Sequence, residues 1–381
     1  MLTPPAPSDG YRISVLTVGP GGELVTLYGH DALLVERAGL PALVYNFGMY
    51  TEAAIAPHHI LGGTLRYFLD VDYFDRALLI YRQENRSVRM QVLALDRATA
   101  ERLADALSQN SRPENSAYAY DFARDNCTTR VRDVLDRALG GALHAQIRGT
   151  APLTYRDHAL RFAADDFFFY FLLDLGLGKS VDRPLPAWDD AFLPDELAAS
   201  ISRIELDDAG RKHPLVARDV VLVASDRPPF RVRPPVRAPW HAIAGIAVGA
   251  LLFALGRRPE RFARLSLGLA SMALGAVVGL LGLWVLLLLL TNVHPTSHDN
   301  FNLLVCPPWA LGMLWGGLLV TLGRPKGPRL LARFAGQSAM IAGIGVLLAT
   351  SFGQDSVRVA LLVVPPLIGI WLAARARKPA Y

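Results

Sequence analysis

Two short segments, roughly a hundred residues apart, carry the side chains best suited to chemistry. YGHDALLV, at Tyr28–Val35, offers a histidine on a predicted strand, and YDFARDNCTTRVRDVL, at Tyr120–Leu135, offers a cysteine in the first turn of a predicted helix. A cysteine and a histidine that meet in space are the minimum for catalysis by a thiol nucleophile. We therefore take Cys127 as the candidate nucleophile and His30 as the candidate base.

The position of Cys127 at a helix start favours a reactive thiol. The helix dipole and the free backbone N–H groups there lower a thiol pKa and can stabilise an oxyanion. Asn126 and Thr128, which flank the cysteine, and Arg86 are further candidates for holding the substrate or the oxyanion. A plainer interpretation of Cys127 is a small apolar side chain in a core. For Arg86 the two interpretations are an ion pair with Glu84 and the binding of a lipid phosphate.

A predicted hairpin positions His30. Strands over residues 24–36 and 42–47 are joined by the turn AGLP. If the hairpin is centred near Ala38, His30 and Asn46 face each other on one side of the sheet and Asp31 lies on the other side. Asn46 is therefore the candidate third residue, which would fix the tautomer of the imidazole.

The surrounding sequence predicts an α+β domain. Further strands are predicted over residues 13–18, 78–81, 88–95 and 216–223, and helices over residues 98–108, 127–139, 155–177 and 195–204. The helix that starts at Cys127 has an apolar stripe at Val131, Val134, Leu135 and Ala138, which is typical of a helix packed on a core.

The C-terminal part reads as a membrane region. Its five apolar stretches are Trp240–Leu255, Leu265–Thr291, Leu303–Leu322, Gly336–Phe352 and Val357–Ala374. A membrane-spanning helix needs about 20 apolar residues, and five such runs in succession are hard to bury in a soluble protein. The sequence thus divides into an extracytoplasmic domain over residues 1–225, a Pro/Arg-rich linker over residues 226–239 and a transmembrane domain over residues 240–381.

Loop charges predict the orientation in the membrane. The loops after the first and third stretches and the tail after the fifth are rich in arginine and lysine, whereas the other two loops have neither. Positively charged loops stay in the cytoplasm, so the N-terminal domain should face outward, into the periplasm. The start MLTPPAPSDGYR has no basic or apolar signal-peptide region, and we expect the true start to lie upstream.

Composition excludes several classes of function. The net charge is +5, but much of this excess lies beside the apolar stretches, which argues for membrane orientation and not for nucleic acid as a partner. The chain has two cysteines in no zinc-type pattern and no Gly-rich phosphate loop, so we expect no metal and no cofactor.

The residues resemble a known family. The order of a histidine first and a cysteine later resembles the circularly permuted papain-like branch, which includes NlpC-type hydrolases and lecithin:retinol acyltransferases. More closely, TVGPGGEL, YGHDALLV, VYNFGMY, YRQENRSV and YDFARDNCTTRVRDVL together resemble the Lnb N-terminal periplasmic domain over roughly residues 12–180.

The resemblance implies an activity. Lnb proteins are bacterial lipoprotein N-acyltransferases, which move an acyl chain from a phospholipid to the α-amino group of a diacylglyceryl lipoprotein. By motif, the family's cysteine corresponds to Cys127 and its histidine to His30. The implied protein is a multi-pass enzyme of the bacterial inner membrane, with membrane lipids around it, a phospholipid as acyl donor and diacylglyceryl lipoproteins as acceptors. Two alternatives are a membrane-anchored cell-wall peptidase or amidase with the same Cys–His pair, and a membrane scaffold without activity.

Overall fold

The computed structural model of the protein describes residues 10–23, 26–51, 66–208, 210–228, 231–291 and 295–377. The chain forms two compact units. The first comprises residues 1–153 and 184–230, and the second comprises residues 154–183 and 231–381. The sequence had placed residues 154–183 with the first unit.

A seven-stranded antiparallel sheet forms the centre of the first unit. Its strands are β1 (Tyr11–Val18), β2 (His30–Arg37), β3 (Leu43–Met49), β4 (Arg66–Tyr73), β5 (Val88–Leu93), β6 (Ala117–Ala119) and β9 (Val216–Val223), in the spatial order β6-β4-β3-β2-β1-β5-β9. Strands β7 (Glu205–Asp208) and β8 (Arg211–Pro214) pair separately. The predicted mixture of helices and strands is confirmed, although β2 begins at His30 and not at residue 24.

Alternation along the strands gives the sheet two buried faces. Val15, Leu33 and Tyr45 pack into one core together with Val131 and Leu135 of the cysteine helix. Their neighbours in sequence pack into a second core on the opposite face, which contains Leu16, Ala32, Leu34, Val44, Val88 and Met90. Because side chains alternate along a strand, consecutive residues of β2 serve different cores.

Nine α-helices, from four to fourteen residues long, lie in the part of residues 74–201 that the structure describes. They are α1 (Phe74–Gln83), α2 (Arg97–Asn110), α3 (Pro113–Ser116), α4 (Cys127–Ala138), α5 (Ala142–Gln146), α6 (Tyr155–Phe162), α7 (Phe167–Gly176), α8 (Ala187–Asp190) and α9 (Pro194–Ile201). Of these, α6 and α7 belong to the second unit.

Two predictions of secondary structure are wrong. Residues 78–81, predicted as a strand, lie in α1, where Ala77 and Tyr81 are buried one helical turn apart and the residues between them face outward or lie partly buried. The single helix predicted over residues 155–177 is two helices, because the side chain of Asp166 accepts a hydrogen bond from Phe169 N and so caps a new helix start.

Among its described residues, the second unit contains five helices long and apolar enough to cross a membrane. Four of them are α10 (Ala238–Arg257), α11 (Arg261–Thr291), α14 (Gly327–Ser351) and α15 (Val357–Ala376). The remaining span consists of two shorter helices, α12 (Asn302–Val305) and α13 (Gly312–Thr321). The five predicted spans are confirmed, and the chain is a multi-pass membrane protein.

Helices α10 and α15 approach each other closely where one has glycines and the other has prolines. A Cβ added at Gly245 would clash with the carbonyl oxygen of Leu361, and one at Gly249 would lie 2.5 Å from the carbonyl oxygen of Pro365. Small residues allow backbones to approach in this way in membranes. Pro365 and Pro366 lie inside α15 and donate no backbone hydrogen bond.

Buried ion pairs explain why residues 154–183 belong to the second unit. Arg156 of α6 pairs with Asp174 of α7 at 3.0 Å and with Asp182 at 2.6 Å. Arg358 of α15 also pairs with Asp174, with its Nε 2.8 Å from Oδ2. The side chain of Asn302 donates to the carbonyl oxygens of Asp174 and Leu175. These contacts attach α6 and α7 to the spanning helices, which the hydropathy pattern did not predict.

Candidate active site

Helix α4 begins at Cys127 with a fully bonded cap. The side-chain oxygen of Asn126 accepts from Thr129 N at 2.8 Å, and the hydroxyl of Thr129 accepts from Asn126 N at 2.8 Å. The Asn126 side-chain amide donates to the carbonyl oxygens of Phe122, at 2.8 Å, and Phe192, at 2.9 Å. This corrects the prediction of Asn126 as an oxyanion donor, because both of its amide hydrogens are already engaged. Its role is to fix the cysteine's position.

Strand β3 comes very close to the start of α4. Gly48 has φ +85°, and a Cβ added there would lie 3.2 Å from the Cβ of Cys127. Both the positive φ and the short separation require glycine. Gly48 therefore allows the helix start, and with it the thiol, to lie directly against the sheet.

The backbone surrounds the sulfur with donors. The N–H groups of Asp31, Thr128 and Cys127 itself interact with the thiol and favour its charged form. The Thr128 hydroxyl lies 3.9 Å from Sγ. The predicted candidate Thr128 is thus beside the nucleophile, and its side chain is buried. N–H groups in the first turn of a helix have no partner within the helix, so they can serve an anion.

Burial decides the state of the thiol. It raises the pKa of Cys127 above its usual value, and the backbone N–H groups offset this only in part. The lowered pKa expected from the helix start is therefore wrong for the protein without substrate. A thiol that is protonated at neutral pH needs a base to remove its proton.

His30 and Asn46 are brought together. His30 Nε2 lies 3.1 Å from Asn46 Oδ1, and the hydroxyl of Tyr81 donates to the same oxygen at 3.2 Å. Asn46 pairs directly with Ala32 in the strand ladder, so the centre of the hairpin lies one residue beyond the predicted centre at Ala38. His30 is therefore diagonally across from Asn46 and not directly opposite it. The shift keeps both residues on one face because the strand period is two.

The hydrogen bond to Asn46 sets the tautomer of His30. A carboxamide oxygen only accepts, so Nε2 carries the ring proton and the neutral ring has its lone pair at Nδ1. Burial first, and then the positive charge of Arg86, lowers the pKa of His30 to about 4. The ring is therefore neutral at physiological pH and is able to accept a proton at Nδ1.

Arg86 is held mainly by the protein. Its Nε donates to the carbonyl oxygen of Gly19 at 2.8 Å, and its Nη1 lies 3.3 Å from the Glu84 carboxylate. The ion-pair interpretation of Arg86 is therefore correct. Its Nη2 is buried and has no partner in the part of the chain that the structure describes. Arg86 contributes positive charge near His30 and retains one free donor group.

Asp31, which was predicted to lie on the face opposite His30, interacts with Cys127. Its side chain is fully buried, and burial first, then the negative charge of a Cys127 thiolate, raises the pKa of its carboxyl to about 8. The Thr128 and Thr17 hydroxyls lower the pKa in part, but no described group lies within ordinary hydrogen-bond distance of either carboxyl oxygen. The signal in the sequence was an acid in an apolar strand, on the face opposite His30.

The relation of His30 to Cys127 is less direct than the sequence implied. No hydrogen bond joins the ring of His30 to Sγ within the described ranges. Strand alternation places the side chain of Asp31, not that of His30, on the face that packs against α4. The structure thus brings together two pairs, His30 with Asn46 and Asp31 with Cys127, at adjacent positions of one strand.

Three tyrosines surround the thiol. A thiolate charge at Cys127 contributes to the raised pKa values of Tyr67, Tyr118 and Tyr120, after burial as the main cause. The rings of Tyr67 and Tyr120 stack with their centroids 4.2 Å apart, and the guanidinium of Arg130 lies 4.0 Å from the centre of the Tyr118 ring. The sequence pattern did not predict this aromatic wall, because β4 and β6, which carry Tyr67 and Tyr118, were not predicted as strands.

Both cysteines are free thiols. Cys306 follows α12 and is fully buried among the helices of the second unit. It lies in an apolar core and is not part of the site around Cys127. The two cysteines thus have different surroundings, which makes Cys306 a suitable control for experiments on Cys127.

Comparison with known proteins gives one match. No curated protein and no solved structure matches the chain. The family model for the Lnb N-terminal periplasmic domain matches residues 6–161, a range that contains His30, Asn46 and Cys127. The resemblance stated from the motifs is confirmed, since this part of the chain matches the Lnb N-terminal periplasmic domain.

Proposed function

We propose that the protein is a lipoprotein N-acyltransferase with Cys127 as its nucleophile. The observation that carries the proposal is the combination, within the region that matches the Lnb N-terminal periplasmic domain, of a partly buried thiol among backbone N–H groups and a neutral imidazole fixed by Asn46. The order of a strand histidine before a helix cysteine also fits a circularly permuted papain-like domain, and we propose that fold for the first unit. Five apolar helices support a lipid substrate.

In the first half-reaction, His30 Nδ1 accepts the proton of the Cys127 thiol. The thiolate attacks the ester carbonyl of a phospholipid, and the N–H groups near the sulfur stabilise the oxyanion. Collapse breaks the ester C–O bond, and the imidazolium donates its proton to the leaving lysophospholipid. The product is an acyl thioester on Cys127. This step requires the ring of His30 to come within hydrogen-bond reach of Sγ when the donor binds.

In the second half-reaction, the α-amino group of a diacylglyceryl lipoprotein attacks the thioester. The attacking amine loses its proton to His30, an N–C bond forms, and the C–S bond breaks to release the Cys127 thiolate, which takes the proton back from His30 and becomes a thiol again. Tyr67, Tyr118 and Tyr120 would give the acyl chain an apolar wall beside the sulfur. The positive charge of the loops supports the proposal that this domain lies in the periplasm as part of an inner-membrane protein, where both lipid substrates would be accessible.

The test is to trap the intermediate. Full-length protein incubated with acyl-labelled phospholipid alone should form a label on Cys127 that neutral hydroxylamine releases, and lysophospholipid should appear before any acceptor is added. A diacylglyceryl lipopeptide should then discharge the label. Cys127→Ala should abolish labelling and transfer, and Cys306→Ala should leave both intact.

Three results would reject the proposal in different ways. N-acylation by Cys127→Ala would exclude the nucleophilic mechanism. Cleavage of cell-wall peptides without any acyl transfer would favour the peptidase or amidase alternative. A scaffold would be favoured by two results together: no thioester forms on the protein, and mass spectrometry finds lipoproteins equally N-acylated in cells with and without the protein.

A further inference from the structure

A cavity of about 390 Å³ lies at the end of the helical unit where the basic loops converge. Five of its lining residues are arginines, namely Arg257, Arg258, Arg264, Arg324 and Arg377. They come from three separate segments: the α10–α11 turn with the start of α11, the α13–α14 turn, and the end of α15. No acidic residue is among the described residues that line the cavity.

Two of these arginines have unused donors. The Nε atoms of Arg264 and Arg377 are buried and have no hydrogen-bond partner in the described part of the chain. Arg377 is nevertheless well fixed, since its Nη2 donates to the carbonyl oxygens of Leu255, at 3.0 Å, and Arg258, at 2.8 Å. A fixed guanidinium with a free donor is ready to bind an acceptor.

The protein offsets the positive charge in the cavity only in part. Burial, and next the charge of Arg264, lowers the pKa of the Arg377 guanidinium. Glu260 is the one acid in the three basic segments, and its negative charge offsets this lowering only in part. Arg264 and Arg377 are partly buried, and charge that is removed from water is costly without a partner, so an anion in the cavity would stabilise this end of the protein.

We propose that this cavity binds a phosphate group, supplied either by the headgroup of an anionic phospholipid or by free phosphate. Guanidinium forks match phosphate oxygens in geometry and charge, and basic pockets between membrane helices on the cytoplasmic side recognise lipid headgroups. The volume lies within the range of small-ligand pockets, about 300–1,000 Å³. The site is independent of the chemistry proposed for Cys127.

Membrane orientation alone does not account for this arrangement. The positive-inside preference explains why the loops are basic, but it does not require three loops to direct arginines into one cavity. Arg329 and Arg333 of α14 belong to the same basic region, are exposed and do not line the cavity. They therefore serve as matched controls for a general attraction between positive surface and anionic lipid.

The experiment measures lipid binding to the full-length protein in detergent by native mass spectrometry. Phosphatidylglycerol should bind more tightly than phosphatidylcholine. Arg264→Gln and Arg324→Gln should each weaken phosphatidylglycerol binding about tenfold, the loss expected for a charge-assisted hydrogen bond. Arg329→Gln and Arg333→Gln should leave it unchanged. Arg324 is exposed, so its substitution is a second test if Arg264→Gln does not fold.

A second arm separates the two sources of phosphate. Inorganic phosphate is added at millimolar concentration. If it displaces phosphatidylglycerol, and if its own binding is also weakened by Arg264→Gln, free phosphate is a ligand of the cavity. Arginine-dependent lipid binding that resists inorganic phosphate identifies the lipid headgroup. No preference for phosphatidylglycerol and no phosphate binding, or an equal loss in all four variants, would overturn the proposal.

Discussion

Asn46 Oδ1 accepts hydrogen bonds from both His30 Nε2, at 3.1 Å, and the hydroxyl of Tyr81, at 3.2 Å. This oxygen therefore connects β2, β3 and α1 at one point. Because it only accepts, it leaves the imidazole with a single neutral tautomer. The orientation of the proposed base depends on a side chain that itself transfers no proton.

The first prediction separates orientation from proton transfer. His30→Ala should lower acyl transfer by about 10²- to 10⁴-fold, the usual contribution of a general base. Asn46→Ala should lower it only about tenfold, as expected for one lost hydrogen bond. Tyr81→Phe is the control, because it removes a donor to Asn46 but leaves the bond to His30. The rates are measured with a fluorescent lipopeptide acceptor, and wild-type activity in Asn46→Ala would assign the orienting role elsewhere, with Asp31 next.

The second prediction concerns Asp31 and pH. The pKa of its carboxyl is about 8 in the folded protein, against 3.8 as the ordinary value. The folded state therefore binds more protons than the unfolded state between these values, so this carboxyl makes the protein less stable as pH rises from about 4 to about 8. Asp31→Asn keeps the shape and removes the titration.

The Asp31→Asn variant should thus gain stability relative to the parent as pH rises. The change in Tm between variant and parent, followed from pH 5 to pH 8 by intrinsic fluorescence, tests this. His30 acts in the opposite sense, because its lowered pKa of about 4 makes the protein more stable as pH rises from about 4 to about 6.5. Comparison of Asp31→Asn with its own parent cancels that term. A pH-independent difference in Tm would show that Asp31 is already ionised.

The third prediction tests the ion pairs that attach α7 to α15. Asp174 is almost fully buried between Arg156 and Arg358. Asp174→Ala leaves two cations without this partner and should cost about 3–5 kcal/mol. Asp355, whose side chain is 42% exposed, also pairs with Arg358, and Asp355→Ala should cost less than about 1 kcal/mol. Thermal unfolding in detergent compares the two, and equal losses would contradict the special role of Asp174.

The fourth prediction concerns topology. Basic loops should lie in the cytoplasm, so a reporter fused after Lys378 should be cytoplasmic and one inserted in the loop over residues 293–302 should be external. Alkaline phosphatase and green fluorescent protein fusions report the two sides. A reporter that is external after Lys378 would reject the five-span orientation.

Sequence pattern predicted the elements whose burial follows a simple period. The five spans, the β2–β3 hairpin and the cysteine helix each have a continuous apolar pattern, and each is present. Alternation also placed His30 and Asn46 on one face, although the register is shifted. Strands β4 and β6 were missed, because β4 is partly polar and β6 has only three residues.

The environment of the thiol could not be read from local pattern. The pKa of Cys127 depends on how deeply other elements bury it, and Asp31 reaches it from a different strand. The engagement of the Asn126 amide with Phe192 depends on a contact across 66 residues of chain. Such properties arise from tertiary packing, which residue type and spacing do not specify.

The contact between Gly245 and Leu361 has a further consequence for how this membrane region can evolve. Pro365 lacks the N–H that would bond the carbonyl of Leu361 one turn earlier, and the backbone of Gly245 covers that carbonyl. A side chain at position 245 would push the helices apart and expose an unbonded carbonyl to lipid. The two positions are therefore epistatic: Gly245→Ala should lower the Tm strongly in the parent and less in Pro365→Leu, where the helix bonds its own carbonyl again.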